Sequence, residues 1–344
     1  MLLLDNDAVA AEADMAEFIE AIEAVYLELA AGGAATRTRS TLTARHERST
    51  KYTLATMDGI SRAAGVAAIR LRSDRSTEAA GRRTKFAGSE GNFLGLIVLF
   101  DLADAVPLAI IHDGIIQQMR VAATAAVAAR RLARRTPTRL GVLGTGGQAR
   151  AHVDAYLSVF PTIETVVIHS PRHQAREAFA AEMSERHRRE FTAADEPRRV
   201  FAGSDVVAIC TNATRPVFEA VWVEAGTHVS SVRHWAEVGV DFLERSDRTV
   251  VHQPPDNVDI VLADRTGRRD ERPATPTPDG PTLVQLLAGE AQGRGGDDEV
   301  TYFLNNVGTG VQFAACASIV YRRCVAAGRG RELPTEWFLQ QISD

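Results

Sequence analysis

A short glycine-rich turn constrains the fold of this chain more than any other feature. The turn follows an apolar run at 140–143 and precedes a helical segment over 148–160, and a second apolar run occupies 165–169. In such a strand–helix–strand unit, the first glycine allows a tight turn, the second lets a pyrophosphate approach the backbone, and a small sixth residue lets the helix pack on the strand. The spacing therefore predicts a dinucleotide-binding unit. The turn residues expected to bind the cofactor are Gly144, Thr145, Gly146, Gly147, Gln148 and Ala149.

The pattern around this unit predicts the fold class. After residue 139, apolar runs alternate with helical segments, which is typical of a doubly wound, Rossmann-type parallel sheet. Before it, 36–86 shows the alternation of antiparallel strands, and apolar residues at helical spacing predict a helix over 15–29. A long alanine-rich helix is expected at 119–134, a polar loop at 264–281, and two short helical pieces at the C-terminus, with 333–343 as an amphipathic tail.

The end of the second strand indicates which dinucleotide is bound. NAD-binding units usually place Asp or Glu there to bind the ribose hydroxyls. This chain has His169-Ser170-Pro171-Arg172-His173, with no acidic residue. Ser170 and Arg172 are suited to a 2′-phosphate, so NADP(H) is favoured and NAD(H) is the alternative. The other interpretation is that both are solvated loop residues.

Composition excludes several classes. The net charge of −5 gives no reason to expect nucleic acid or an anionic membrane as a partner. The chain contains no uninterrupted apolar run of membrane-spanning length, and its first residues, which are acidic rather than basic, do not resemble a signal peptide. Three cysteines without metal-ligand spacing predict buried thiols, no metal site and a cytoplasmic location.

Several ordered segments resemble one known family. Residues 120–126 read RVAATAA and stand just before 141–149, GVLGTGGQA. Further matches are SDVV at 204–207, GTH at 226–228 and a glycine-rich segment over 289–308. Together these are similar to the ornithine cyclodeaminase/mu-crystallin family, whose members carry an R-T-A-A-x-S-A helix before the dinucleotide turn.

The resemblance implies a two-domain homodimer that acts on a small amino, imino or 2-oxo acid. It implies a dinucleotide-binding domain at 119–314 and a smaller α+β domain for substrate binding and dimerisation, built from 1–118 and 315–344. It also adds cofactor-binding residues, which are Thr211, Asn212, Val307 and Gly308.

Three arginines are candidates for binding the substrate carboxylate, since arginine binds carboxylates bidentately. By resemblance, Arg120 occupies the position of the family's carboxylate-binding arginine. Arg70 falls near the position of its substrate-binding lysine, and Arg39 (or Arg37) is the candidate from the N-terminal segment. For each arginine, the alternative is a surface salt bridge.

The chain departs from the family where proton transfer is expected. The position of the family's catalytic aspartate aligns with Arg233, followed by His234. A histidine is suited to proton transfer near neutral pH, and Arg233 to an extra anionic group, while loop drift is the alternative for both. His112 is a second acid/base candidate, and a structural role in the turn before Gly114 is its alternative. An acidic pair that many members carry before the C-terminal helix is Gln312-Phe313 here.

These features predict an NAD(P)H-dependent oxidoreductase that acts on the C–N bond of an imino or amino acid, as a ketimine reductase or an amino-acid dehydrogenase does. One alternative is a cyclodeaminase-like ammonia lyase that uses NAD transiently, although the missing aspartate argues against it. The other alternative is an NADPH-binding protein without turnover.

Overall fold

The computed structural model describes residues 1–47, 50–79, 82–89, 91–232, 237–254, 258–261, 278–340 and 342. Its strands form two sheets, one built mainly from the first third of the chain and one from 139 onwards. Helices lie against both sheets.

The strands are β1 (Leu2–Leu4), β2 (Ala34–Thr36), β3 (Ser40–Glu47), β4 (Thr50–Ser61), β5 (Val66–Ala79), β6 (Arg82–Phe86), β7 (Leu94–Asp101), β8 (Pro107–His112), β9 (Arg139–Leu143), β10 (Thr165–His169), β11 (Glu190–Ala193), β12 (Val206–Ile209), β13 (His228–Ser231), β14 (Arg248–Val251), β15 (Val258–Val261), β16 (Thr301–Leu304) and β17 (Arg331–Glu332). The helices are α1 (Asn6–Glu12), α2 (Met15–Ala30), α3 (Gly114–Leu132), α4 (Gly147–Val159), α5 (His173–His187), α6 (Arg198–Phe201), α7 (Val240–Arg245), α8 (Leu283–Leu287) and α9 (Gly310–Ala326), and short 3-10 helices occupy Ala220–Trp222 and Thr335–Phe338.

The first sheet is mixed and has the order β15-β3-β4-β5-β7-β8-β1-β17, with β2 beside β4 and β6 beside β5. Its central strands are antiparallel neighbours. On one face, α9 packs against β4 and β5. Strand β15 comes from the later part of the chain and pairs with β3. The division into two domains proposed from the sequence remains a prediction.

The second sheet is parallel and has the order β11-β10-β9-β12-β13-β16-β14. Strands β10 and β11 follow β9 on one side, and β12 then begins on the other side of β9. In such sheets ligands bind at the carboxyl ends of the two strands between which the order switches, which here are β9 and β12. The predicted fold class, a Rossmann-type parallel sheet with a second α+β unit, is confirmed. No helix among the described residues combines the length and the apolar character that crossing a bilayer requires.

Two helices differ from the predictions. Helix α3 begins at Gly114, five residues earlier than expected. Helix α9 is one continuous helix of 17 residues, so the prediction of two short C-terminal pieces was wrong. The first nine residues of α9 are all buried, which removes the polar face on which the periodicity argument depends. Most of the predicted loop at 264–281 lies outside the described residues.

Candidate functional site

The glycine turn lies where the pattern predicted it, between β9 and α4. Gly144 has a φ of +113°, and a methyl group on it would lie 2.4 Å from the carbonyl oxygen of Cys210. Its N–H donates to the carbonyl of His169 at 2.9 Å. Glycine is therefore required here both by backbone conformation and by the close approach of the strand β12 end.

A cleft of about 730 Å³ opens above this turn. It is lined by the five residues 144–148, by the ends of β10 and β12 and by Thr84 of β6. Ala149 does not line the cleft, because it is fully buried in the first turn of α4. Of the other predicted cofactor residues, Ser170, Arg172, Thr211 and Asn212 line the cleft, whereas Val307 and Gly308 do not.

The cleft fits a dinucleotide. Gly146 is the N-cap of α4 and would have nothing within 4 Å of an added methyl group, so its surface faces open space. The first N–H groups of the helix have no partner within the helix and point toward such a space, where phosphate binds well. The buried amide oxygen of Gln148 also has no hydrogen-bond partner among the described residues. Arg150 donates to the carbonyl of Thr145 at 3.0 Å and fixes the turn from behind.

Two exposed arginines border the cleft. Arg172 follows β10, and Arg215 follows β12, so they approach the cleft from the two strands that flank β9. Neither guanidinium forms an ion pair with a described residue. Arg215 was missed by sequence reasoning because its loop has no recognisable motif.

A buried carboxylate stands behind one wall of the cleft. The hydroxyl of Thr211 donates to Oε2 of Glu237 at 2.7 Å, and Glu237 is fully buried. Burial, together with the negative charge of Glu237, raises the pKa of the neighbouring Cys210 thiol well above its usual value. Cys210 is therefore a neutral packing residue and not a nucleophile.

A second cluster contains two of the predicted substrate arginines. Arg70 of β5 is 2% exposed, and its Nε and Nη2 both lie 2.6 Å from Oδ2 of Asp113. Asp113 is itself fully buried at the N-terminal end of α3. Because neither charge is solvated, the pair depends on its own geometry for stability.

Arg120 is buried next to this pair, and its hydrogen-bond partners among the described residues are all neutral. Its Nη1 donates to the side-chain oxygen of Gln312 at 2.9 Å, and its Nη2 to that of Gln117 at 2.8 Å. Its Nε is buried without a hydrogen-bond partner. The ring of Phe313 lies beneath both guanidiniums, 5.0 Å from Cζ of Arg120 and 5.4 Å from Cζ of Arg70. Burial, and after it the nearby charge of Arg70, lowers the pKa of Arg120 to about 9.

Helix α3 connects this cluster with the dinucleotide turn. Gln117 holds Arg120, and the next residue, Gln118, packs against Gly147, where a methyl group would lie 2.5 Å from the Gln118 amide oxygen. Gly308 lies against Arg120 instead of the nucleotide cleft, and a methyl group on it would lie 2.5 Å from Nη1. The contact with the dinucleotide turn, at Gln118, and the contact with the arginine cluster, at Arg120, are thus two residues apart in α3.

The remaining predicted site residues are less closely associated. Arg39 is half-buried just before β3, whereas Arg37 is exposed and paired with Asp58. His112 pairs with Leu96 across β7 and β8, while Arg70 pairs with Ile97. Since neighbouring residues of a strand point to opposite faces, His112 lies on the face opposite to Arg70. Its Nδ1 accepts a hydrogen bond from Gly114 N–H at 3.1 Å.

Arg233 and His234 lie outside the described residues, so their proposed roles remain predictions. No group of three or more metal-ligating side chains occurs in the part of the chain that the structure describes.

Comparison with known proteins assigns the chain to a family. The model of the ornithine cyclodeaminase/mu-crystallin family matches residues 1–328. The chain belongs to this family. Its similarity to the Delta(1)-pyrroline-2-carboxylate reductase of Bacillus cereus is 27% identity over 251 residues, which is 70% of this chain and 74% of that protein. The membership expected from the helix segment and the glycine turn is therefore confirmed.

Solved structures support the same fold. That of Thermococcus litoralis Delta(1)-pyrroline-2-carboxylate reductase in complex with NADH and L-proline has a TM-score of 0.78 at 22% identity and covers 97% of this chain and 100% of its own. An archaeal alanine dehydrogenase dimer with bound NAD has a TM-score of 0.77 at 22% identity, covering 97% and 99%.

This family member also contains a buried set of three polar side chains, Tyr26, His252 and Thr309, which the sequence analysis did not identify. The hydroxyl of Tyr26 contacts Nε2 of His252 and lies 3.3 Å from the hydroxyl of Thr309. Burial, and after it the charge of Arg120, lowers the pKa of His252 to about 3. His252 is therefore neutral near pH 7 and adds no charge to the site.

Proposed function

We propose that this member of the ornithine cyclodeaminase/mu-crystallin family is an NADP(H)-dependent oxidoreductase that reduces the C=N bond of an α-imino acid or oxidises the corresponding amino acid. The observation that carries the proposal is Arg120, a buried guanidinium that forms no ion pair with any described residue and stands two residues after Gln118, which contacts the dinucleotide turn at Gly147. A buried charge without a counter-ion is costly, so such a residue is suited to an anionic ligand.

The chemistry follows from what each part of the site can hold. When bound, the nicotinamide supplies a hydride to the imine carbon or accepts one from the amine carbon. Arg120 and Arg70 hold the carboxylate beside that carbon, and the turn after β9 holds the pyrophosphate. In the reducing direction one imine, one NADPH and one proton give one amine and one NADP⁺. His234 or a water molecule is our proposed source of the proton.

The preference for NADP(H) is supported by the charge at the adenosine end of the cleft. In this fold the adenosine ribose lies at the end of the second strand, where Arg172 is exposed and no acidic side chain stands between 170 and 173. Replacing Arg172 with Ala is expected to lower kcat/KM for NADPH about tenfold or more while leaving that for NADH within about twofold, since only the 2′-phosphate needs the charge. An equal effect on both cofactors would contradict the preference.

A homodimer is supported by the sheet face opposite to α9. On this face apolar residues of neighbouring strands lie opposite each other, as Leu42 and Leu54 do in β3 and β4, and many of these residues are not buried. Leu42, Ile60 and Leu94 are exposed by 43%, 44% and 43%. The similar archaeal alanine dehydrogenase is a dimer, and an apolar face of this kind is typical of an interface between subunits. Sedimentation of the purified protein tests this proposal, and a monomer at micromolar concentration would refute it.

The activity is tested by the loss of NADPH absorbance with purified protein. The panel contains 2-oxo acids with ammonia or methylamine, and preformed cyclic imino acids. We expect steady NADPH consumption with one substrate class and an increase of KM by about a hundredfold in Arg120→Met, because a charge-assisted, bidentate contact is lost. Arg186→Met is the matched control, since Arg186 is exposed and pairs with Asp154 between α5 and α4, and neither residue is placed in the site.

The other outcomes identify the alternative functions. Ammonia release without net cofactor consumption would indicate a cyclodeaminase-like lyase. Tight NADPH binding with neither reaction would indicate a binding protein. Either result would refute the proposed oxidoreductase.

A further inference from the structure

The side-chain amide of Gln312 connects Arg120 with the start of α9. Gln312 is fully buried in the first turn of that helix. Its carbonyl oxygen accepts hydrogen bonds from Nη1 of Arg120 at 2.9 Å and from the backbone N–H of Thr309 at 3.0 Å. Its amide nitrogen donates to the hydroxyl of Thr124.

These contacts define which way the amide points. The Thr124 hydroxyl donates its proton to the carbonyl of Arg120 at 2.7 Å, so its oxygen is free to accept from Gln312. The nitrogen of Gln312 must then face Thr124, and its oxygen must face Arg120. A reversed amide would place N–H groups against a guanidinium, which has no acceptor.

The charges of the described residues around the amide do not balance. Arg70 and Arg120 share the ring of Phe313, and Asp113 is bound by Arg70 alone. One positive charge therefore remains on Arg120. The lowered pKa of Arg120 agrees with this excess, because burial and the charge of Arg70 both disfavour its cationic form.

We propose that Gln312 is the positioning and specificity-determining residue of the carboxylate site. Its oxygen orients the guanidinium of Arg120, and its neutrality leaves the charge of Arg120 available to the carboxylate of an α-imino or α-oxo acid. Many family members carry an acid at this position; in this chain a carboxylate here would pair with Arg120 as Asp113 pairs with Arg70, and would lower the net positive charge available to the substrate carboxylate. This inference rests on the proposed function.

The alternative role of Gln312 is to cap α9, and the chain contains a matched control for it. Gln285 occupies the same third position of α8, and its side-chain oxygen accepts from the N-cap N–H of Thr282 at 2.9 Å. Glutamate and glutamine serve equally in this capping motif. Gln312→Glu and Gln285→Glu therefore make the same change in two caps, of which only the first contacts an arginine.

The experiment measures binding of glyoxylate, pyruvate and pyrrole-2-carboxylate to the full-length protein loaded with NADP⁺, by calorimetry. These planar carboxylates increase in size, and their binding needs no turnover. In Gln312→Glu we expect Kd to rise about tenfold or more, because the competing ion pair involves a charged group. The affinity for NADP⁺ and the melting temperature are expected not to fall. In Gln285→Glu we expect Kd to stay within about twofold of the wild-type value, because the side chain of Gln285 bonds only Thr282 among the described residues.

A second variant and the turnover kinetics complete the test. Gln312→Met removes the acceptor without adding charge, and we expect a smaller rise in Kd, about threefold, because Arg120 keeps its charge but loses its alignment. With a turned-over substrate, Gln312→Glu should raise KM by the same factor as Kd and leave kcat within about twofold.

Each contrary result has a distinct meaning. Wild-type affinity in Gln312→Glu or Gln312→Met would overturn the role of Gln312 and leave the proposed oxidoreductase intact. Loss of NADP⁺ binding and of thermal stability together with carboxylate binding would show a purely structural role and would also overturn it. Failure of the wild-type protein to bind any of the three acids would refute the carboxylate site and the proposed function together.

Discussion

The buried pair of Arg70 and Asp113 makes a prediction whose size follows from the structure. The Asp113 side chain is 0% exposed and that of Arg70 is 3% exposed, so the charge left by Asp113→Asn has no access to water. Breaking such a pair from one side typically costs 3–5 kcal/mol, and we expect about 3 kcal/mol because asparagine retains a hydrogen-bond acceptor. With an unfolding entropy of about 2.1 cal/mol/K per residue, 344 residues convert this into a fall in Tm of about 4 °C.

Calorimetry of the purified variants measures this shift, and Asp58→Asn is the control. Asp58 accepts from Nε of Arg37 at 2.8 Å in the same sheet, but the two side chains are 30% and 79% exposed. Surface pairs contribute little to stability, so its Tm should fall by less than about 1 °C. Equal shifts in the two variants would show that Arg70 finds another partner or reaches water, and the charge balance inferred for the site would then be wrong.

Three further predictions concern the cofactor turn, the substrate arginine and pH. Gly144→Ala should weaken NADPH binding about tenfold or more in a fluorescence titration, because a methyl group there meets the Cys210 carbonyl at 2.4 Å in a backbone conformation that costs other residues about 1–3 kcal/mol. Gly308→Ala should raise KM for the carboxylate substrate without changing NADPH affinity, since the methyl group displaces Arg120, and an unchanged KM would contradict the contact. Burial lowers the pKa of His228 and of His252 to about 3, so each adds stability that is present above pH 6.5 and is lost as the pH falls towards 3. The free energy of unfolding, measured with urea, should therefore be lower at pH 5 than at pH 7 by about 2 kcal/mol for each histidine. Identical urea midpoints at the two pH values would refute the neutral burial of these histidines.

Local sequence patterns predicted the parts of the molecule that are determined locally. The turn after β9 was recognisable because its glycines, strand and helix lie within thirty residues, and the chemistry of pyrophosphate binding fixes their spacing. The amphipathic helix α2 was also correct, since its buried residues recur at helical spacing. Helix α9 was not, because its first nine residues are all buried and therefore show no polar face to mark where the helix begins.

The partners of the arginines were not predictable for a different reason. Arg120 and Gln312 are 192 residues apart, and Arg70 and Asp113 are 43 apart. No pattern within one element links such residues, and only the packing of α9 against β4 and β5 brings Phe313 beneath both guanidiniums. The register of β7 and β8 likewise places His112 on the face opposite to Arg70, although the sequence places it next to Asp113.

The residues at 312 and 313 have different meanings in the sequence and in the structure. In the sequence, the absence of an acidic pair from this position suggests a loss of chemistry. In the structure, the amide of Gln312 accepts from Arg120 and the ring of Phe313 lies against both guanidiniums, and neither side chain neutralises the charge of Arg120. An acid at position 312 would add a negative charge in contact with Arg120 and would lower the net positive charge available to a substrate carboxylate. The replacement is therefore consistent with a reductase that binds its substrate through a single carboxylate.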